Sequence, residues 1–308
     1  MNKFVLIGGM PRSGTTLLET VVGSHSRIAI PPGDYPFAEQ ATRGLSVERI
    51  FSVLEKKKTW QLWLEKSFAD LYGTPHGEAF VESMRRYASS ADKDIPAAKA
   101  PYSEFFYETY GNWLQSWDLR FVHVIRNPID VVASLKKSHI HTNWNVYIDT
   151  LEVQTRNWLR STSIGVAHAL RNPAGYRIVR YEDFVDDPSR ETDDLCQFLG
   201  VEQDTRRMLD RVDYSYHETN TSFPDEVSDE QKNARRIFQR KSRRSYLEQD
   251  EIDLVCRICG ETALAMGFED DNFSQQSPLV PGKLKTGERW RRRVGRFRKR
   301  LGGRKSVK

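Results

Sequence analysis

Phe4-Val5-Leu6-Ile7-Gly8-Gly9-Met10-Pro11-Arg12-Ser13-Gly14-Thr15-Thr16-Leu17-Leu18 reads as an apolar strand, a loop of small residues and the first turns of a helix. A corner of this kind aims several backbone N–H groups and the positive end of a helix at one point, a place for an anion of phosphate size. Gly9 and Gly14 stand at the G-x-x-x-x-G spacing of a Walker A loop, but Thr15 occupies the position of the lysine that reaches the β- and γ-phosphates of a nucleoside triphosphate. A cation, Arg12, sits inside the loop instead. The stretch is read as a phosphate cradle stripped of the part needed for nucleoside triphosphates. The competing reading is an ordinary strand–turn–helix corner.

Further along the chain, apolar runs predict strands over residues 4–8, 27–30, 97–99, 121–125 and 176–180. Helical patterns fall between and after them, over 15–23, 47–72, 78–89, 103–116, 128–138, 147–170, 191–199 and 249–266. Strands alternating with helices imply an α/β domain, a parallel sheet covered on both faces. Phe121-Val122-His123-Val124-Ile125 is apolar on nearly every position, as a central parallel strand is. One domain is expected over 1–268, then a linker over 269–288, rich in Ser, Gln, Pro and Gly among charges. The polar, charged stretch 213–236 reads as a mobile active-site loop or lid.

A second anion site follows the central strand. In Arg126-Asn127-Pro128-Ile129-Asp130-Val131-Val132-Ala133-Ser134, Asn127 is a good helix cap and Pro128 suits the first helical position. Arg126 thus stands at the carboxyl end of a strand, the edge where open α/β sheets bind ligands. Its guanidinium fork and the Ser134 hydroxyl two turns on can hold a phosphate apart from the first. Taken singly, Arg126 could pair with an acid and Ser134 could be a surface residue.

These two stretches together resemble the PAPS-dependent sulfotransferases. The likeness runs over about residues 4–190 and includes Lys99-Ala100-Pro101 and Arg180-Tyr181-Glu182-Asp183-Phe184. It implies a P-loop-type fold in which Arg12, Ser13, Gly14, Thr15 and Thr16 hold the 5′-phosphate. Arg126 and Ser134 would hold the 3′-phosphate, and Tyr181 would touch the adenine. PAPS would be the donor, PAP the product, and no metal would be required. The chain is more similar to the branch with a carboxylate base than to the histidine-base cytosolic branch. On that likeness Gly33-Asp34 supplies the base, with Glu39 in reserve, while Lys99 and Arg12 stabilise the departing phosphate. Asp34 equally suits a plain Pro-Pro-Gly-Asp turn. The acceptor would be a hydroxyl, its pocket built from residues 43–102 with Trp60, Trp63, Phe68, Tyr72, Phe80, Tyr87 and Tyr102. Two other classes stay open: a degenerate P-loop ATP-dependent kinase, or a non-catalytic nucleotide-binding scaffold tethered by its tail.

Charge is unevenly spread. Residues 283–308 hold thirteen Lys or Arg against one acid, Glu288, so within a chain of net charge +5 the first 282 residues are net −7. That argues against a specific nucleic-acid groove across the domain. Trp290, Val294, Phe297 and Leu301 recur on one helical face among arginines. Residues 289–301 therefore suit an anionic membrane surface, or a disordered polyanion-binding tail. Cys196, Cys256 and Cys259 make no disulfide framework, and the C-x-x-C pair lies in a helical pattern, as core residues would. The run 4–7 is too short for a signal peptide, and no stretch spans a bilayer. A cytoplasmic protein, peripheral at a membrane if the tail binds one, is expected.

Overall fold

Phe4 to Gly8 are all buried because they form the middle strand, β1 (Lys3–Gly8), of a five-stranded sheet. The computed structural model describes residues 2–55, 68–141, 150–210 and 242–276. Strands β2 (Ile28–Ala29), β3 (Ile95–Lys99), β4 (Asp118–Ile125) and β5 (Tyr176–Arg180) complete the order β2-β3-β1-β4-β5. Every pairing is parallel. Each parallel neighbour needs a crossover, which the helices supply.

Successive residues of β1 point to opposite faces. Phe4 and Leu6 meet an aromatic layer with Tyr35, Phe37, Phe80 and Tyr110. Val5 and Ile7 meet Leu17, Leu18, Val21 and Val22 of helix α1 (Thr15–Gly23). A third cluster joins Ile125 to α6 (Pro128–His141), α7 (Leu151–Arg171) and α11 (Gln249–Ala265) through Ile129, Trp158 and Val255. Among the described residues the remaining helices are α2 (Phe37–Thr42), α3 (Val47–Glu55), α4 (His76–Ser90), α5 (Tyr107–Trp113), α8 (Tyr181–Asp186), α9 (Pro188–Leu199), α10 (Thr205–Asp210) and α12 (Asp271–Gln276).

The single long helix over 47–72 is not formed. Rings of Phe51 and Phe68 stack with centroids 4.9 Å apart, whereas seventeen residues of unbroken helix would separate them by about 25 Å. The chain instead passes through a 3-10 turn at Ala69–Leu71 before α4. Phe68 and Phe80 belong to the core and not to an open pocket, while Trp60 and Trp63 lie outside the described residues. The helix over 103–116 is split as well. Tyr102 takes a left-handed φ of 64°, Ser103–Phe106 is 3-10, and α5 follows. Helix α9 begins three residues earlier than expected: Pro188 occupies its first turn, and Asp187 Oδ1 accepts from Arg190 N at 3.3 Å.

The stretch read as a linker starts with α12, whose Phe273 is fully buried in the third cluster. The lid over 213–236 and the basic tail lie outside the described residues. Among the described residues no helix is long and apolar enough to cross a membrane. All three cysteines are buried; burial raises the Cys256 thiol to about 11.

Candidate active site

The sheet register sets the site's frame. Ile7 pairs with Lys99, Gly8 with His123 and Ile125 with Arg180. The residues that leave β1, β3, β4 and β5 at their carboxyl ends therefore share one edge.

The loop after β1 follows a backbone path that L side chains rarely adopt. Gly9 lies at φ 136°, Arg12 at 72° and Gly14 at 102°. A Cβ on Gly9 would stand 2.3 Å from the Val124 carbonyl oxygen, and one on Gly14 2.5 Å from Tyr181 Cδ2. Ser13 N donates to Met10 O at 3.1 Å, which folds the loop back. No side chain caps the start of α1, so its first N–H groups are left for an anion. The Ser13 hydroxyl is sealed in the loop with no hydrogen-bond partner among the described residues. An orphaned hydroxyl beside uncapped amides and an arginine is what a bound phosphate would satisfy.

Arg126 is pinned on both sides of its backbone. Trp158 Nε1 donates to its carbonyl at 2.9 Å. The following Asn127 N donates to Glu182 Oε1 at 2.9 Å, and Asn127 Oδ1 accepts from Ile129 N at 2.9 Å as the cap of α6. The Arg126 guanidinium carbon lies 4.4 Å above the Tyr181 ring, and its Nη1 donates to Arg12 O at 3.4 Å. Arg12 Nε in turn donates to Ser134 Oγ at 3.0 Å. Arg12 thus faces the second cradle as well as belonging to the first, and the two cradles adjoin. Tyr181 sits between Gly14 and Arg126, a wall common to both.

On the other side of the loop, the Lys99 ammonium lies 2.5 Å from Asp34 Oδ1 and 2.9 Å from Glu19 Oε2. The Lys99 side chain is 1% exposed, Glu19 4% and Asp34 36%. Glu19 Oε1 accepts from Gly33 N at 3.1 Å, and Tyr35 N donates to Lys99 O at 2.7 Å. The turn carrying Asp34 is therefore tied to both α1 and β3. Glu39, the reserve base, pairs with Arg43 within one turn of α2 at 2.7 Å; the described contacts bring it to neither Lys99 nor the loop.

Three participants were not singled out from the sequence. Glu19 is one; its signal was a lone acid within the apolar run of α1. Glu104 is another. It is buried beneath the loop, where its Oε2 accepts from Gly9 N at 2.9 Å and its Oε1 accepts from Ser161 Oγ. Burial lifts its carboxyl to about 7 and pushes neighbouring His123 down to about 3. The third is Arg243. Its backbone N and the Ser242 hydroxyl donate to Asp130 Oδ1 at 2.9 and 3.0 Å, which ties it to the first turn of α6, within electrostatic range of Tyr181. Nothing near Arg243 in sequence marks it, because its hydrogen-bond partner Asp130 comes from α6.

Residues 5–205 match the sequence profile of the family described as "Sulfotransferase family". The chain belongs to the sulfotransferase family. Its fold is similar to that of the sulfotransferase domain from the Synechococcus PCC 7002 olefin synthase, at 20% identity and TM-score 0.51, over 82% of this chain and 93% of that one. It is also similar to the sulfotransferase domain from the curacin biosynthetic pathway, at 15% identity and TM-score 0.52, over 85% and 98% of the two chains. No curated protein sequence matches it significantly. In this sulfotransferase both cradles, Asp34 and Lys99 fall within the matched region, whereas Arg243, α11 and α12 lie beyond it.

Proposed function

We propose that this sulfotransferase moves a sulfuryl group from PAPS to an acceptor hydroxyl, with Asp34 as general base. The observation that carries the reading is the junction of a lysine-less phosphate loop with the Arg126–Ser134 cradle through Arg12, 3.0 Å from Ser134. Two adjoining anion sites with an aromatic wall suit a nucleotide bearing phosphate at both its 3′ and 5′ positions. The orphaned Ser13 hydroxyl and the uncapped start of α1 fit the 5′ group.

PAPS, when bound, supplies a sulfur already joined to a good leaving group, the 5′-phosphate. Ser13, Gly14, Thr15 and Thr16 hold that end, and Arg126 and Ser134 the other. Asp34, the more exposed partner of Lys99, takes the acceptor proton on its carboxylate as the acceptor oxygen bonds to sulfur. General-base help of this kind contributes ~10²–10⁴ in rate. Lys99 faces the negative charge left on the phosphate oxygen when its bond to sulfur breaks, and a fixed cation in a dry site serves that charge better than water does.

Calorimetry with PAP against ATP·Mg²⁺ separates this reading from a degenerate kinase. PAP is expected to bind, to add ~2.7 kcal/mol of stability at 100 times its Kd, and to bind about tenfold or more weakly to Arg126→Ala. Tighter binding of ATP·Mg²⁺ than of PAP would overturn the proposal. Incubation with PAPS and a panel of hydroxyl acceptors should then show the mass gain of one SO₃, lost in Asp34→Asn.

A further inference from the structure

We propose that Glu19 is a positioning residue for the transfer: it is the counter-charge that keeps the Lys99 ammonium charged and in place when Asp34 loses its own charge. The inference rests on the sulfuryl-transfer reading and deepens it. Lys99 stands between two carboxylates contributed by different elements, Asp34 at 2.5 Å from the turn after β2 and Glu19 at 2.9 Å from α1. As general base, Asp34 becomes neutral on taking the acceptor proton. At that moment Lys99 would lose one counter-charge while negative charge is growing on the leaving oxygen. A buried ammonium without an anion is costly, and it answers by shedding its proton or moving to water. Glu19, sealed at 4% exposure against 36% for Asp34, is shielded from an incoming hydroxyl and so is not the group that takes the acceptor proton. Its other oxygen holds Gly33 N at 3.1 Å, so the same carboxylate fixes the turn that presents Asp34.

Glu19→Gln keeps the shape and an acceptor for Gly33 N but removes the charge. In the unliganded protein its Tm should fall by about 5–10 °C. PAP affinity by calorimetry should stay within about twofold, while single-turnover release of PAP from PAPS, with water as acceptor, should fall about 10–100-fold. Glu19→Asp, which retains the charge, should recover part of that loss. A purely structural role predicts wild-type turnover in Glu19→Gln, and that result would overturn the inference. Should Glu19→Gln fail to fold, the double variant Glu19→Gln/Lys99→Met decides. Recovery of folding supports charge compensation, and a double variant as unstable as the single one overturns it. If the wild type itself binds no PAP, the sulfotransferase reading is what fails, and the inference falls with it.

Discussion

Gly14 arranges the site by what it lacks. It lies at φ 102°, and a Cβ there would stand 2.5 Å from Tyr181 Cδ2. The Tyr181 ring can therefore approach the loop closely and carry the Arg126 guanidinium carbon 4.4 Å from its centroid. A stacked cation of this kind is held in direction as well as place. Gly14→Ala must adopt a conformation that L residues avoid and must also displace Tyr181. PAP affinity measured by calorimetry should drop by about tenfold or more, which is ~1.4 kcal/mol. Unchanged affinity would show that the Tyr181–Arg126 stack has no part in binding.

At the scale of elements, Glu104 is the bolt between the phosphate loop and the helices behind it. It joins Gly9 of the loop to Ser161 of α7, with His123 of β4 alongside. Its carboxyl titrates near 7 in the folded chain, up from 4.5, because burial opposes its charge. Between those two values the folded chain holds a proton that the unfolded chain has released, so stability falls as pH rises through the window. His123 acts in the opposite sense. Burial lowers it from 6.5 to about 3, so over that range the unfolded chain binds the extra proton and stability rises with pH. Glu104→Gln removes the first effect while keeping an acceptor for Gly9 N. Urea unfolding at about pH 5 and about pH 8 should show the wild type losing stability relative to the variant. A constant difference between them would mean that Glu104 is ionised throughout. The elements themselves were read unevenly. The start of α6 was legible because Asn127 and Pro128 act through their own backbone neighbours. The long helix over 47–72 was misread because apolar residues at helical spacing cannot report that the chain turns back to stack Phe68 on Phe51.

For the molecule as a whole, the packed unit reaches past residue 268. Helix α12 lies on α11, and the Phe273 backbone comes within ordinary contact distance of a Cβ built on Gly260. With Phe273 fully buried, Phe273→Ala should cost about 3–5 kcal/mol in denaturant unfolding. A loss under about 1 kcal/mol would mean that α12 is dispensable to the fold. The same scale explains how the cleft is put together. The order β2-β3-β1-β4-β5 places β1 between β3 and β4, so Lys99 and Arg126 arrive on either side of the glycine loop from positions about 90 and 115 residues away along the chain.

The order of residues was enough to establish the strand–loop–helix corner, the capped helix after Arg126 and the alternation that makes a parallel sheet. These depend on backbone geometry, on caps and on hydrophobic period, all of which act over a few residues. The link from Arg12 to Ser134, the sharing of Lys99 between Asp34 and Glu19, the Glu104 bolt and the tie of Arg243 to Asp130 came from the folded chain. Each joins charged or polar groups from separate elements. Their strength comes from burial, which removes the competing water once those elements have packed together, and a linear chain carries no mark of which of its charges will end up dry.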